Sequence, residues 1–324
     1  MTHVIQIDQH GGPNVLKWRE VEVASPGKGE VRIRHHAIGL NFIDTYFRTG
    51  LYKPPSLPFI PGAEGAGEVV AVGRGVKDVK PGDRVAYSGG LGAYAEERNL
   101  VADRAVKIPR NVSYEQAAAI MLKGLTAQYL LRRAHRVKPG ETILFHAAAG
   151  GVGQIACQWA HALGATVIGT VGGKPKVRLA KAAGCQHVID YKAEDFVERV
   201  RKITKGAGVD VVYDGVGKDT YPGSLDCLRP LGMWVLFGQS SGPVPPFDLQ
   251  TLAPKGSLFV TRPTIATYTA KREDLIKGAR ELFRVVGNGA VKVAINQRYA
   301  LKDAAKAHRD LEARKTTGAT VLLP

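Results

Sequence analysis

Residues 145–154 read FHAAAGGVGQ. The apolar run TILF (142–145) leads into them as a buried strand would, and GGVGQIACQWAHALG has helical spacing. Small residues fill the turn in the pattern AxGxxG, at Ala148, Gly150 and Gly153. In such a turn the first residue must be small. The second lets a pyrophosphate approach the backbone, and the third lets the helix lie close to the strand. Gly151 and Val152 begin the helix, whose N-terminus offers N–H groups and partial positive charge to phosphate oxygens. Set inside a βαβ unit, the pattern predicts a dinucleotide site. Ala148 is tolerable there if its backbone angles are ordinary.

Outward from this turn, strands and helices alternate. ATVIGTVG, HVIDY, VDVVYDGVG, GMWVLFGQ and SLFVT read as strands, KPKVRLAKAAG and AEDFVERVRKIT as helices. Alternation of this kind predicts an α/β fold with a doubly wound Rossmann parallel sheet over residues 126–267. The first ~120 residues are instead strand-rich and cut by Gly and Pro, with alternating VRIRHHAIG and a short helix through NFIDTYFRTG. After residue 268 come a helix, a strand, a second helix and a final apolar strand, ATVLLP. This tail is expected to rejoin the first domain, making a β-rich domain of residues 1–125 and 268–324.

The cofactor is read at the end of the second Rossmann strand. An NAD site places a carboxylate there for the ribose 2′-hydroxyl. Here the chain continues Thr170, Val171, Gly172, Gly173, Lys174, Pro175, Lys176, with no acidic residue. The glycines leave room, the lysines supply charge, and Tyr191 at the close of the third strand adds a hydroxyl. NADP(H) is therefore favoured over NAD(H). Tyr213–Gly217 and Phe237–Gly242 are further strand ends, rich in small residues, that face the same side of the sheet.

Composition narrows the classes. No run of about 18 apolar residues predicts a membrane span. The N-terminus lacks a signal-peptide layout, so a cytoplasmic address is expected. Cys157, Cys185 and Cys227 are far apart and read as core residues. The net charge of +16 favours anionic partners, nucleic acid included. Yet the densest basic runs, Arg132, Arg133, Arg136 and Lys138, then Arg199, Arg201, Lys202 and Lys205, read as solvated helix faces. Adjacent His35 and His36 point to opposite faces of a strand, which suits one core and one surface histidine better than a metal pair.

The strings AIGLNFIDTYFRTGLY, PGAEGAGEVVAVG, FHAAAGGVGQIACQWA, VVYDGVG and GSLDCL resemble the quinone oxidoreductase (zeta-crystallin-like) family, a zinc-free branch of the medium-chain dehydrogenases/reductases, along essentially the whole chain. The resemblance implies a GroES-like catalytic domain beside the Rossmann domain, NADPH as cofactor, a quinone as substrate and a homodimer. Where zinc alcohol dehydrogenases carry GHE, this chain has Gly62, Ala63 and Glu64, and Asn41 stands in the region of a zinc-ligand cysteine. No metal is expected. The resemblance carries cofactor contacts onto Asn41, Phe42, Asp44, Tyr46 and Tyr129, and onto Gly151 and Val152 at the pyrophosphate. It carries them also onto Gly172, Gly173, Lys176 and Tyr191 at the 2′-phosphate, and onto Val216, Gly238, Gln239, Ser240, Ser241 and Arg314. Ala319 stands where many relatives have a basic residue.

Hydride transfer needs mainly orientation and exclusion of water from the protein. Asn41, Tyr46 and Tyr52 are the catalytic candidates for contact with the acceptor oxygen; Tyr46 and Tyr52 serve equally as packing. An NADPH:quinone reductase is the leading reading. An enone reductase of the same branch is the alternative. A third, an RNA-binding or structural role, is motivated by charge and weakened by the lack of an interleaved aromatic platform.

Overall fold

Two short antiparallel strands, β1 (Thr2–Gln6) and β2 (Lys17–Val21), open the chain. The alternating VRIRHHAIG lies in the long β3 (Glu30–Leu40), with Val31, Ile33 and His35 buried and Arg34 and His36 exposed. Then follow α1 (Phe42–Thr49), β4 (Glu64–Val72), β5 (Arg84–Ser88), β6 (Glu97–Val101), β7 (Val106–Lys107) and α2 (Tyr114–Tyr129). This computed structural model describes residues 1–324.

His35 shows why the alternation matters. Its Nδ1 lies 2.6 Å from the Ala95 carbonyl and its Nε2 2.8 Å from the Tyr87 hydroxyl. A carbonyl only accepts, so Nδ1 carries the proton and Nε2 accepts from Tyr87. Burial pushes the His35 pKa down to about 3. His36, on the other face, stacks on Tyr114 with ring centroids 4.1 Å apart.

The α/β part comprises β8 (Thr142–Phe145), α3 (Gly151–Ala162), β9 (Thr166–Val171), α4 (Lys174–Ala182), β10 (His187–Asp190), α5 (Phe196–Ile203), β11 (Val209–Asp214), α6 (Gly223–Asp226), β12 (Leu228–Leu236), β13 (Phe259–Thr261) and α7 (Ile265–Tyr268). Its six strands are all parallel, in the order β10-β9-β8-β11-β12-β13. Helices cover both faces, so Ile143, Leu144 and Phe145 of β8 and Val211, Val212 and Tyr213 of β11 are all buried. Each such side chain contributes roughly 1.5–3 kcal/mol of burial. The strand order reverses between β8 and β11, and ligands of such sheets bind beyond the carboxyl ends there.

The tail forms α8 (Arg272–Gly287), β14 (Ile295–Ala300), α9 (Ala304–Glu312) and β15 (Ala319–Leu323). β15 pairs antiparallel with β3, completing a seven-stranded sheet ordered β14-β15-β3-β4-β5-β7, with β6 also on β3. One unit comprises Met1–Leu125, Thr269–Gly287 and Val293–Pro324; the other comprises Thr126–Tyr268 and Asn288–Lys292. Residues 288–292 thus leave the β-rich domain to which the sequence assigns them. Gln158 of α3 holds Lys292 there, accepting from its N–H at 2.9 Å and donating to its carbonyl at 3.2 Å.

The basic runs also differ from expectation. After α2 the chain makes a single π turn, Leu130–Ala134, so Arg136 and Lys138 fall beyond the helix. Arg133 lies over the Tyr268 ring at 5.1 Å and donates to the Tyr268 carbonyl at 2.6 Å. Lys205 follows α5 in a left-handed conformation, φ 53°. Cys157, Cys185 and Cys227 are buried as free thiols.

Candidate functional site

The glycine turn sits at the carboxyl end of β8. Ala148 donates to the Thr170 carbonyl at 3.0 Å, and Gly150 to the Ala147 carbonyl at 2.8 Å. The residue with a left-handed backbone is Ala147, φ 55°, and not Ala148. A Cβ on Gly153 would stand 2.5 Å from the Ala147 oxygen and 2.7 Å from the Ala148 oxygen, so only glycine lets α3 lie on the turn. Gly169 of β9 plays the complementary part, since a Cβ there would meet the Ala148 methyl at 2.7 Å. No side chain caps α3 and its first turn has no acidic residue. By contrast α5 is capped by Asp195, which accepts from the Glu198 N–H at 2.9 Å. The cradle at Gly151 and Val152 therefore suits an anion.

A second cradle forms where β9 and β10 end. Gly173 caps α4 at φ 105°, again without a side-chain cap or an acidic first turn. The Tyr191 hydroxyl lies over Gly172 so closely that a Cβ would collide with it. Gly172, Gly173 and Tyr191 are thus brought together, with Lys176 in the first turn of α4. The sequence did not reveal Asp190. Its Oδ1 accepts from the Gly173 N–H at 2.8 Å and the Lys192 N–H at 3.2 Å.

The switch point is braced by a buried network that sequence reasoning missed. Asp214 ends β11; its Oδ1 accepts from Val216 and Gly217, at 2.8 and 3.1 Å. Its Oδ2 accepts from Thr220, Ser224 and Trp234, at 2.7, 2.9 and 3.1 Å. Burial pushes Asp214 upward, but the field of His146 and these donors outweigh it, holding its carboxyl below the ordinary range. The Ser224 proton goes to this carboxylate, so Ser224 accepts from His146 Nε2, and His146 Nδ1 accepts from Thr170. Burial lowers the His146 pKa. Val216 meets the next strand end directly: Ser241 donates to its carbonyl from Oγ at 2.8 Å and from the backbone at 3.0 Å. A Cβ on Gly238 would stand 2.7 Å from the Gly215 oxygen. Val216, Gly238, Gln239, Ser240 and Ser241 therefore form one compact pair of loops. Tyr129 is buried and stacks on Tyr268, ring centroids 4.6 Å apart.

In the β-rich unit, Asn41 precedes α1. Its amide donates to Glu64 Oε1 at 2.7 Å. The same oxygen takes the Lys123 ammonium at 2.8 Å, and Glu64 Oε2 accepts from the Leu122 N–H at 2.6 Å. All three side chains are buried. Gly39 makes the space, since a Cβ there would collide with Glu64. Neither Glu64 nor Lys123 was singled out as a group: the two are far apart in sequence and meet only because α2 packs on β4.

The Asp44 side chain turns inward. It has no exposed surface; its Oδ2 accepts from the Asn41 N–H at 2.9 Å and the Tyr94 hydroxyl at 3.0 Å. Its Oδ1 has no partner. Burial raises its pKa to about 7. Beyond Tyr94 the chain of bonds runs through His308 to Arg48, each at 3.0 Å, and Arg48 pairs with Glu312. Asp44 thus braces α1 against α9. On its outer side α1 carries half-buried Tyr46, edge-on to Tyr52 at 5.2 Å, and exposed Phe42, 6.4 Å from Tyr46. Arg314 stands exposed in the turn after α9, at φ 58°.

Two known families match the chain: an alcohol dehydrogenase GroES-like domain over residues 27–110 and a zinc-binding dehydrogenase over residues 151–284. A quinone oxidoreductase of Pseudomonas aeruginosa is 54% identical, with all of both chains covered. The crystal structure of Escherichia coli quinone oxidoreductase complexed with NADPH is 52% identical, covers 99% of this chain and 100% of that one, and superposes with a TM-score of 0.98. A 2-haloacrylate reductase of a Burkholderia species is 46% identical over 98% of each chain. Zinc takes three or four protein ligands. The donor set here does not fit it: position 63 offers a methyl group, and both Glu64 oxygens are engaged by the ammonium, the amide and a main-chain N–H.

Proposed function

This chain belongs to the quinone oxidoreductase family of the medium-chain dehydrogenases/reductases, and on that premise we propose that it is an NADPH-dependent quinone reductase that works without a metal. The carrying observation is the pair of uncapped glycine cradles at the carboxyl end of the parallel sheet, one at Gly150–Gly153 and one at Gly172–Gly173. When bound, NADPH supplies a hydride from its nicotinamide. Gly151 and Val152 offer N–H groups to the pyrophosphate, and Lys176 and Tyr191 hold the 2′-phosphate. Val216 and Gly238–Ser241, kept in place by Asp214, shape the nicotinamide half. Asn41, its amide fixed by Glu64, is the polar group on the acceptor side, and Phe42, Tyr46 and Tyr52 offer aromatic faces to a flat acceptor. The protein's part is orientation and exclusion of water.

A second reading, reduction of an activated alkene, is supported by the likeness to the 2-haloacrylate reductase. No helix is long and apolar enough to cross a membrane, and a cytoplasmic enzyme is proposed. A homodimer is proposed through β13, the edge strand of the parallel sheet, where Phe259 is 54% and Val260 37% exposed. Edge strands with apolar side chains are natural sites for a second copy to pair. Cofactor titration followed by turnover with 1,4-benzoquinone, 9,10-phenanthrenequinone and an enone tests the reading. Tight NADPH binding and quinone turnover are expected; equal affinity for NADPH and NADH would refute the cofactor assignment, and turnover of the enone alone would decide for the second reading.

A further inference from the structure

The carboxylate nearest the second cradle belongs to Asp190, and its geometry is unlike that of an NAD site. There the acidic residue closes the second strand and accepts from ribose hydroxyls. Asp190 comes from the neighbouring strand, paired with Val171 in the register of β10 and β9. Its Oδ1 is directed to two main-chain donors, Gly173 and Lys192. Gly173 lies at φ 105° and ψ 148°, a region that side-chain-bearing residues rarely enter, and the carboxylate is the group that holds its N–H. Tyr191, the next residue, donates its N–H to the Val171 carbonyl at 3.1 Å and sets its hydroxyl over Gly172. Asp190, which ends β10, and Tyr191 just after it therefore grip the two consecutive glycines that follow β9.

From this arrangement we infer that Asp190 is a positioning residue for dinucleotide choice: by bonding Gly173 it holds the turn that presents the Tyr191 hydroxyl and the start of α4, with Lys176, to the 2′-phosphate. The inference rests on the NADPH reading above. A carboxylate so close to a bound phosphate would ordinarily oppose it. Here two N–H groups offset its charge, and a hydrogen-bonded turn is gained. NADH lacks the 2′-phosphate, so the same turn matters little to it.

Dissociation constants for NADPH and NADH, measured by calorimetric titration on the intact wild-type, Asp190→Asn and Asp190→Ala proteins, separate the outcomes. An amide oxygen can still accept from Gly173, so Asp190→Asn is expected to keep the wild-type ratio within about threefold, whereas Asp190→Ala, losing a charge-assisted bond, should weaken NADPH by about tenfold or more with NADH little changed. Gly173→Ala breaks the same turn from the other partner and should lower the ratio likewise, which covers the case of an Asp190→Ala protein that fails to fold. Tighter NADPH binding by Asp190→Asn would show a repelling charge and overturn the inference. So would an unchanged ratio in Asp190→Ala, or a loss of NADH affinity in both Asp190 variants, which would mark a ribose ligand. A wild-type protein that binds both dinucleotides equally would instead refute the NADPH reading itself.

Discussion

Replacing Asp44 by Asn should change how the stability of this protein depends on pH. Asp44 is fully buried and burial raises its pKa from 3.8 to about 7. A raised folded-state pKa means that the native chain holds the proton longer than the unfolded chain does. The associated stability is complete below pH 3.8 and is lost as the pH rises through 7. The raised pKa corresponds to about 4 kcal/mol in all, of which roughly 2–3 kcal/mol is lost between pH 5 and pH 8. Asparagine does not titrate. Its oxygen can accept from Asn41 and Tyr94 as Oδ2 does, and its NH2 group inherits the unpartnered Oδ1 position. That misfit costs roughly 1–3 kcal/mol at every pH. The sign of the stability difference is therefore not the test; its slope is. Urea unfolding of both proteins at pH 5, 6, 7 and 8 should show Asp44→Asn gaining roughly 2–3 kcal/mol on the wild type across that range. Histidine titrations are common to both proteins and cancel. Parallel curves would refute the burial argument for Asp44.

Buried His35 and His308, both pushed down to about 3 by burial, act in the opposite direction. Their stabilising effect is present above pH 6.5 and lost as the pH falls, about 2 kcal/mol each between pH 7 and 5. The stability gap between wild type and His35→Gln should shift by that amount, and a gap that stays constant in urea unfolding would contradict it. Lys123→Met strands the Glu64 carboxylate and should destabilise by about 3–5 kcal/mol, whereas the Glu64→Gln, Lys123→Met double variant should recover much of that loss in thermal melts. Lys176→Ala should weaken NADPH by about 1.5–3 kcal/mol and leave NADH nearly unchanged in the same titration; equal losses would place Lys176 outside the phosphate site.

The parallel sheet was legible because its signals are local. The strand cores ILF, VIG, VVY and WVLF are continuously apolar, as strands covered on both faces are, and small residues follow them. The same holds for Gly153 and Gly172, whose missing side chains are demanded by contacts a few residues away or one strand over. His35 and His36 were separable because a strand sends neighbours to opposite faces. Local pattern failed where the partner is remote. Asp44 entered only as a contact the resemblance implies; that its carboxyl accepts from Tyr94, which in turn meets His308, depends on segments far along the chain.

By itself, then, the sequence determined the α/β class, the glycine turn and the family, all of which rest on short-range periodicity and strings of neighbouring residues. Tertiary structure alone decided how charge is disposed around them. It set Lys123 against Glu64, gathered five donors on Asp214, and turned Asp190 toward Gly173. A buried charge is stable only where its partners converge, and those partners come from segments that chain order does not place together.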